Sequence, residues 1–369
     1  MRLVELQQLW LRDIRSHVAT DVRLDPGVNL LTGPNGSGKT NLAEAVGFLV
    51  SLRSFRGVPA DALVRAGASS GTVRGEVLSE ARTHLIEIEI PERGRTRVLV
   101  NRNRLSRRRD LLEVAQVTVF GPDDLELVKG GPGVRRELLD DAVVQIRPVD
   151  ELIVSDWERV LRQRNAFLKQ VGPSAGRRGL DDSASITLDV WDDKLIQLGT
   201  ALHGLRAVVV GRLGPFVAAA YRNVAGDRSD VTLSLQPGWE GADLTEAVAA
   251  ARVDDLRRGV TTVGPHRDDL RIDLNGLAAR THASQGEQRC LALALRLGVH
   301  EFVTTARGTP PILVLDDVFS ELDPVRSAAL VASLPAGQTI ITSAVGSPSG
   351  VEPDAVFELV TGGGVVRTR

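Results

Sequence analysis

The 369-residue sequence predicts an α/β fold in which a head is built from both ends of the chain and an α-helical arm lobe is inserted between them. Three observations support this prediction. A glycine-rich loop lies between a strand and a helix near the N-terminus, and an apolar strand ending in two aspartates lies near the C-terminus. The segment between them has helical periodicity. Strands that alternate with helices toward the C-terminus indicate a parallel sheet.

Composition places the chain among ordinary globular proteins. Hydrophobic residues make up 43% and charged residues 25% of the sequence, and the formal net charge is −2. No run approaches the roughly 18 apolar residues of a membrane helix, and the charged start MRLVELQQLWLRDIRSH is typical of a strand and its turn rather than an export signal. The single cysteine, Cys290, excludes an internal disulfide. We therefore expect a cytoplasmic protein without a membrane partner.

The stretch GPNGSGKTN, residues 33–41, matches the phosphate-binding pattern G-x-x-x-x-G-K-[ST]. It follows the apolar run VNLL and precedes a helical pattern, which is the strand–loop–helix context of a P-loop. Helix N-termini favour phosphate oxygens. Lys39 is the candidate catalytic lysine for the β- and γ-phosphates, and Thr40 is a candidate Mg²⁺ ligand. The predicted ATP-binding residues are Gly33, Pro34, Asn35, Gly36, Ser37, Gly38, Lys39, Thr40 and Asn41.

A second segment, PILVLDDVFSELD, contains acids that could complete a nucleotide site together with this loop. The apolar run 312–315 is typical of a central strand buried on both faces, and an acid at its C-terminal end would lie at the ligand crevice. Asp316 is predicted to hold Mg²⁺, and Asp317 to orient or deprotonate the attacking water. A pair of solvated turn acids is the alternative. Thr40 and Asp316 are 276 residues apart, so one sheet must use both chain ends.

The segment from about 132 to 221 changes to helical spacing. Within it, GPSAGRRGLDDSAS (172–185) is predicted to be a polar loop that joins two long helices into a projecting antiparallel hairpin. Strand patterns resume at 231, 270, 311, 338 and 355, with helices at 242–258, 285–306 and 324–333. These patterns predict three parts: residues 1–130 and 256–369 form the head, and residues 131–255 form the arm lobe.

The segment SQGEQRCLALALRLG (284–298) precedes the second carboxylate strand. Ser284 and Glu287 form the pattern of a capping box before an apolar helix, which is a sufficient structural explanation. The same N-terminus, which also carries Gly286, is a candidate anion site.

Five arginines lie within ten residues in NRNRLSRRRD. Such a charge run is usually a solvated face, and phosphate binding is the alternative. The candidate DNA-contacting residues are Arg102, Arg104, Arg107, Arg108 and Arg109.

The order SQGEQR, apolar helix, LVLDD and SELD resembles the signature segment, Walker B strand and D-loop of ABC-type ATPases. That superfamily implies an ABC-type P-loop ATPase head in which the signature of one protomer caps the γ-phosphate bound by the other, giving a head-to-tail dimer. The signature residues acting in trans are then Ser284, Gln285, Gly286, Glu287 and Gln288, and the D-loop aspartate is Asp323.

Nearly the whole chain resembles the RecF family of bacterial recombination and replication-repair ATPases. The marks are GPNGSGKTNLAEAV, PDDLELVKGGPGVRRELLDDAV, WERVLRQRNAFLK, TTVGPHRDDLRIDLNG, SQGEQR and LVLDDVFSELD. The resemblance implies ATP and Mg²⁺ as cofactors and weak, DNA-dependent ATP hydrolysis. It also implies an ATP-dependent homodimer on double-stranded DNA and on junctions of single- and double-stranded DNA, acting at gaps with the RecO and RecR proteins.

The sequence departs from the superfamily pattern at three places. Asp317 stands where many members have glutamate, and Gly121–Asp124 stand where a glutamine is expected after the strand VTVF. Ala344 and Val345 replace a histidine after TIITS, which leaves Thr342 or Ser343 as candidates near the γ-phosphate. His266 lies in the mark TTVGPHRDD, and the sequence assigns it no role.

Three alternative functions remain. The missing glutamine and the inserted arm disfavour a transport ATPase subunit of an ABC-type assembly. A chromosome-organising ATPase requires coiled-coil arms of hundreds of residues, which this chain lacks. An ATPase-coupled nuclease requires a further metal site, and no additional cluster of acids or histidines is evident.

Overall fold

The computed structural model describes residues 3–178, 180–241, 243–344, 346–360 and 364–369. The N-terminal part is rich in strands and contains one long helix directly after the glycine loop. Its elements are β1 (Val4–Ile14), β2 (His17–Arg23), β3 (Val28–Thr32), α1 (Lys39–Ser51), β4 (Ser70–Ser79), β5 (Arg82–Pro91), β6 (Arg97–Val100), β7 (Asn103–Arg104), α2 (Arg108–Val114), β8 (Val117–Phe120) and α3 (Glu126–Lys129).

The rest of the chain begins with long helices and ends with alternating strands and helices. Its elements are α4 (Pro132–Ile146), α5 (Glu151–Arg178), α6 (Asp182–Ala225), β9 (Val231–Gln236), α7 (Leu244–Arg258), β10 (Asp269–Leu274), β11 (Leu277–Ala278), α8 (Ala279–His282), α9 (Gln285–Arg307), β12 (Ile312–Asp316), α10 (Pro324–Ala332), β13 (Thr339–Ser343), β14 (Ala355–Val360) and β15 (Gly364–Arg367).

The central sheet has the strand order β15-β14-β3-β13-β12-β8. Five of its strands are parallel, and only β15 is antiparallel to its neighbour β14. In the register, Thr342 of β13 stands beside both Leu31 of β3 and Asp316 of β12. Strands from residues 28–32, 117–120 and 312–360 therefore share one sheet. This confirms the predicted α/β head built from both chain ends.

A second sheet is antiparallel, with the strand order β2-β1-β4-β5-β6-β7. Its inner face packs on α1, because alternate apolar residues of β1, β4 and β5 join Phe48 and Leu49 in one buried cluster. Helix α1 is consequently held between this sheet and the central sheet. The turn that joins β1 to β2 approaches the glycine loop from this side.

Two sequence-based expectations are wrong. The patterns at 231 and 270 do not join the parallel sheet, because β9 and β10 pair antiparallel and form a separate three-stranded sheet with β11. The predicted loop 172–185 is mostly helical, since α5 continues to Arg178 and α6 begins at Asp182. Residue 179 lies outside the described residues. Polar composition is compatible with an exposed helix end as well as with a loop, so composition could not separate the two.

The predicted arm lobe, residues 131–255, contains α4, α5, α6, β9 and most of α7, and α6 is the longest element of the chain. Its 44 residues span about 66 Å. The first part of α6 packs on α5, whereas Val209, Leu213 and Val217 of its second part share a cluster with α4, α9 and the central sheet. One buried cluster thus crosses residue 130 and residue 255, and the predicted three-part division remains a prediction.

Candidate functional site

The glycine loop joins the end of β3 to α1 and requires glycine at two positions for steric reasons. Gly33 and Gly38 have φ values of 143° and 103°. A Cβ at Gly33 would lie 2.3 Å from the carbonyl oxygen of Leu359, and a Cβ at Gly38 would lie 2.7 Å from Ser16 Oγ. The loop therefore packs closely on its surroundings, and the first N–H groups of α1 have no acceptor within the helix.

Lys39 is the first residue of α1, and its side chain turns back over the loop. Its ammonium donates to the carbonyl oxygens of Gly33 at 2.7 Å and Pro34 at 2.9 Å. Burial lowers the pKa of Lys39, and the nearby carboxylates of Asp317 and Asp316 oppose this shift. Within the same loop, the buried Ser37 hydroxyl makes no hydrogen bond to a described residue. A partly desolvated cation and an unsatisfied hydroxyl fit a phosphate-binding loop.

Asp316 ends β12 and is 1% exposed. Its Oδ1 accepts from Thr40 Oγ1 at 3.0 Å and from Thr342 Oγ1 at 2.7 Å. Burial raises the pKa of Asp316, while hydrogen bonds from Thr342 and Thr40 oppose the rise. The structure thus joins the glycine loop, β12 and β13 at one carboxylate. Hydroxyl and carboxylate oxygens are ligands that Mg²⁺ prefers, so the donor set fits this ion.

Asp317 follows Asp316 in the left-handed backbone region, with φ 53°. Non-glycine residues rarely adopt this conformation, and it turns the chain out of the strand directly at the site. The backbone N–H of Asp317 donates to Thr342 Oγ1 at 3.0 Å. Of the candidates left by the missing histidine, Thr342 contacts both aspartates. Val345 lies outside the described residues.

The predicted signature residues form the N-terminus of α9. Ser284 and Glu287 make the capping box, with Ser284 N–H donating to Glu287 Oε2 at 2.7 Å and Glu287 N–H donating to Ser284 Oγ at 3.4 Å. Gln288 is buried and its amide donates to the carbonyl oxygens of Ala279 and Arg280 at 3.3 Å. Ser284 and Gln285 are exposed.

The D-loop aspartate, Asp323, caps α10, with its Oδ1 accepting from the N–H of Arg326 at 2.9 Å. Among the described residues, no hydrogen bond or ion pair joins the signature or Asp323 to the chain's own glycine loop. The structure therefore brings the P-loop and Walker B residues together and leaves the signature outside that group.

The segment that replaces the expected glutamine folds into a short 3-10 turn, Pro122–Leu125. Asp124 Oδ2 accepts from the N–H of Gly121 at 2.9 Å, and its Oδ1 accepts from Arg296 Nε and Nη2 at 2.9 and 2.6 Å. Arg296 belongs to α9. An ion pair thus connects the turn after β8 with the helix that carries the signature.

The five arginines of residues 102–109 do not form one exposed cluster, contrary to the expectation. Arg102, Arg104 and Arg107 are exposed. Arg108 is directed inward: its Nε donates to the carbonyl oxygen of Ser51 at 3.1 Å, and its guanidinium lies 3.9 Å from Asp141 of α4. Arg109 lies 3.7 Å from Asp110. Arg108 therefore connects α1 to the arm, a role that no sequence pattern indicated.

Sequence reasoning also missed two contacts from the β1–β2 turn to the glycine loop. Ser16 Oγ accepts from Asn41 Nδ2 at 2.9 Å, and the ring Nε2 of the buried His17 lies 3.1 Å from the carbonyl oxygen of Gly38. Arg15 of the same turn forms two hydrogen bonds with Glu44 of α1. The only signal in the sequence was the short turn IRSH between two strand patterns.

The segment TTVGPHRDD contributes two aspartates to a cluster of ion pairs between the head and the arm. We call it the lobe junction, and it comprises Arg135, Asp140, Arg206, Asp268 and Asp269. Arg206 binds Asp140 through two hydrogen bonds of 2.8 Å and Asp268 through one of 3.1 Å. Arg135 binds Asp269 through hydrogen bonds of 2.7 and 2.9 Å. These pairs connect α4 and α6 to the turn that precedes β10.

His266 lies beside the lobe junction and is not part of the nucleotide site. Its Nε2 is 3.0 Å from the carbonyl oxygen of Thr261, and its ring stacks on Trp157 with centroids 6.0 Å apart. Burial lowers the pKa of His266 to about 4, so the ring is neutral near pH 7. Trp157 is 3% exposed, which agrees with its predicted packing role.

No helix among the described residues is long and apolar enough to cross a membrane.

Known proteins are similar to this chain in sequence and in fold. The chain matches the sequence model of the family described as "RecF/RecN/SMC N terminal domain" over residues 5–346. Proteins named DNA replication and repair protein RecF from Beutenbergia cavernae and Frankia alni are 39% and 42% identical, each with 99% of this chain and 100% of the relative covered. A third such protein, from Streptomyces avermitilis, is 41% identical over 93% of this chain and 94% of its own length.

Solved structures show the same relationship. Structures of the recombination mediator protein RecF in the RecFOR pathway, with ATPrS and with ATP, are 28% identical and have TM-scores of 0.88 and 0.87; both cover 100% of this chain and at least 99% of their own. An Smc head domain from Pyrococcus furiosus, 16% identical with a TM-score of 0.59, covers 99% of this chain and 96% of its own and shares the fold alone. The fold is that of ABC-type ATPase heads, and the chain belongs to the RecF family of DNA replication and repair proteins.

Proposed function

We propose that this chain is an ATP-dependent DNA-binding protein of recombinational repair and replication restart. Two copies would join head to tail when ATP is bound and would clamp double-stranded DNA near gaps and at junctions with single strands. ATP hydrolysis would be slow and DNA-dependent, and would release the clamp. The relatives' names and the RecFOR pathway named for the similar structures support the cellular role, with RecO and RecR as partners.

The main support for the proposed ATP binding is the hydrogen bond of 3.0 Å from Thr40 Oγ1 to Asp316 Oδ1. It brings the start of α1 and the end of β12 together across 276 residues, with Lys39 beside them. Thr40 and Asp316 would hold Mg²⁺, which would neutralise phosphate charge during hydrolysis. Asp317 would orient or deprotonate the attacking water, and its left-handed backbone would aim its side chain.

Lys39 would change partners when the nucleotide binds. Its ammonium now donates to the carbonyl oxygens of Gly33 and Pro34, and phosphate oxygens would replace them. A hydrogen bond from an ammonium to an anionic phosphate oxygen is stronger than one to a neutral carbonyl oxygen, so the exchange favours nucleotide binding. Ser37 supplies a further donor in the same loop.

The dimer is supported by the isolation of the signature from the chain's own glycine loop. Ser284 and Gln285 are exposed at the N-terminus of a 23-residue helix, where backbone N–H groups and the helix dipole favour an anion. The γ-phosphate on the partner would supply that anion. ATP would therefore join two chains and ADP would not.

Sedimentation with ATP, ADP and no nucleotide tests this proposal. We expect a dimer only with ATP, and we expect duplex DNA to strengthen it. Ser284→Arg would place a large side chain where the partner's γ-phosphate would bind. This variant should therefore remain monomeric, while each monomer still binds ATP. A parent protein that stays monomeric at saturating ATP, with or without DNA, would contradict the clamp.

A second experiment addresses DNA binding by the exposed arginines. If Arg102, Arg104 and Arg107 contact phosphates, changing them to glutamate should weaken binding equally for unrelated duplexes. The slope of log K against log salt should fall by about 0.9 for each lost contact. Arg257→Glu with Arg258→Glu, on the exposed face of α7, is the matched control. Equal affinity and slope in parent and variant would show that the arginines are only solvated.

A further inference from the structure

The guanidinium of Arg326 lies against the signature helix. If Gly286 carried a Cβ, that atom would be 2.7 Å from Arg326 Nη1 and 3.4 Å from its Cζ. Arg326 belongs to α10, the helix that Asp323 caps. Because residue 286 is glycine, the guanidinium of Arg326 can lie in contact with the N-terminus of the signature helix.

Acids of the D-loop hold two arginines beside the signature. Arg326 Nη1 is 3.3 Å from Asp323 Oδ2, and Asp323 is the only acid that pairs with it among the described residues. Arg289 of α9 donates from Nη1 to the carbonyl oxygen of Glu321 at 3.2 Å, and its Nε lies 3.4 Å from the Glu321 carboxylate. The signature and the D-loop thus form one surface.

Arg326 is only partly compensated. Its side chain is 33% exposed, and its hydrogen-bonding capacity exceeds what Asp323 uses: no hydrogen bond from Nη2 or Nε to a described residue is present. The second acid in this region, Glu287, already accepts from the N–H of Ser284. Positive charge from the helix N-terminus and from the guanidinium therefore coincides at Gly286.

A buried hydroxyl completes this region. Tyr221 of α6 is fully buried, and its Oη makes no hydrogen bond to a described residue. Burial raises the pKa of Tyr221, the groups of Asp227, Cys290 and Glu287 raise it further, and the Arg326 guanidinium opposes the rise. Acids as well as Arg326 therefore act on this phenol.

We propose that Arg326 is a phosphate-recognition residue that acts in trans, binding the γ-phosphate held on the partner's glycine loop together with Ser284 and Gly286. This inference rests on the proposed ATP-dependent dimer. A planar guanidinium can offer two donors to one phosphate while its other edge stays on Asp323. ADP lacks the group that this arginine would contact, so Arg326 would help the dimer to distinguish ATP from ADP.

A matched pair of variants separates charge from packing. Arg326→Met keeps a long side chain over Gly286 and removes the cation, whereas Arg326→Lys keeps the cation. The dimer dissociation constant is measured by sedimentation with Mg²⁺ and ATPγS, and the thermal unfolding midpoint of each monomer is measured without nucleotide. Each dimer has two such contacts, so Arg326→Met should weaken it about 100-fold, at about tenfold per contact. Arg326→Lys should remain within about tenfold of the parent.

The outcomes distinguish this inference from the proposed function. A parent that does not dimerise with ATPγS contradicts the dimer itself. A parent that dimerises while Arg326→Met dimerises as tightly contradicts only the role of Arg326. Equal weakening of both variants, with an equal fall in their unfolding midpoints, would show that Arg326 only packs and would also overturn the inference.

Discussion

The aspartates of the nucleotide site and of the lobe junction have opposite surroundings. At the lobe junction, Asp268 and Asp269 are each bound by an arginine within 3.1 Å. At the nucleotide site, Asp316 and Asp317 make no ion pair among the described residues, and Asp316 is held only by the hydroxyls of Thr40 and Thr342.

We infer that this difference separates acids that stabilise the fold from acids that would act in the proposed hydrolysis. A buried carboxylate costs free energy unless a cation compensates it, and the lobe junction supplies that cation within the chain. Among the described residues no cation lies within ion-pair distance of Asp316, which is the arrangement expected where a cation comes from solution. Substitutions in the two regions should therefore have different consequences for hydrolysis and for stability.

The largest expected effect is on hydrolysis. Asp317→Asn should lower kcat for ATP hydrolysis by about 10²- to 10⁴-fold, the usual contribution of a general base. The free energy of unfolding should hardly change, because no described residue pairs with the Asp317 side chain. Steady-state ATPase assays and urea unfolding test both statements, with the exposed Asp123→Asn as control. Normal turnover would remove Asp317 from the mechanism.

The opposite result is expected at the lobe junction. Arg206→Met should lower the free energy of unfolding by about 3–5 kcal/mol, because it removes the arginine that pairs with the buried Asp268 and the half-buried Asp140. Arg271→Met removes an exposed pair with Asp273 and should cost at most about 1 kcal/mol. Urea unfolding curves measure both. Similar losses for the two variants would show that burial does not distinguish these pairs.

Acidification should lower the free energy of unfolding through His266, which lies beside the lobe junction. Its pKa is about 4 in the folded state, below the ordinary histidine value of 6.5, so the unfolded chain binds more protons between these values. Its contribution to stability is complete above about pH 6.5 and falls toward pH 4. Between pH 7.5 and pH 5 the parent should lose about 1–2 kcal/mol more than His266→Asn. Parallel pH profiles of the two proteins would contradict this.

A small effect on stability is also expected for Asp316→Asn. An amide oxygen can still accept from Thr40 and Thr342, so the free energy of unfolding should change by less than about 1 kcal/mol. Asp268→Asn, in contrast, weakens a buried ion pair with Arg206 and should cost several times as much. Magnesium-dependent ATP binding should fall only in Asp316→Asn. A large loss of stability in Asp316→Asn would contradict the proposed difference between the two regions.

Much of the nucleotide site could be predicted because its residues are contiguous in two short motifs. The pattern GPNGSGKT predicts both a turn and a helix start, and the run ILVL followed by DD predicts a buried strand with acids at its end. Each of these is a local property of the chain. The parallel sheet then follows, because both motifs need the same crevice.

Contacts between distant elements could not be predicted in this way. Arg108 and Arg107 are adjacent in a charge run, yet one contacts Ser51 and Asp141 while the other is exposed. The sequence contains no signal for this difference, since it depends on how α2 lies between α1 and α4. Residues 231–236 and 269–274 likewise had strand patterns without an indication of which sheet they join.

Local propensity and spacing were enough to predict the glycine loop, the carboxylate strand and the capped helix, because each of them is encoded in a short stretch of residues, whereas the family rested on a resemblance along nearly the whole chain. The pairing of charges, in contrast, became visible only in the folded chain. Packing placed cations on Asp268 and Asp269, left Asp316 with hydroxyls, and set Arg326 on Gly286. The physical reason is that the free energy of a charge depends on burial and on neighbours that lie far apart in the chain, and these exist only after the lobes have packed.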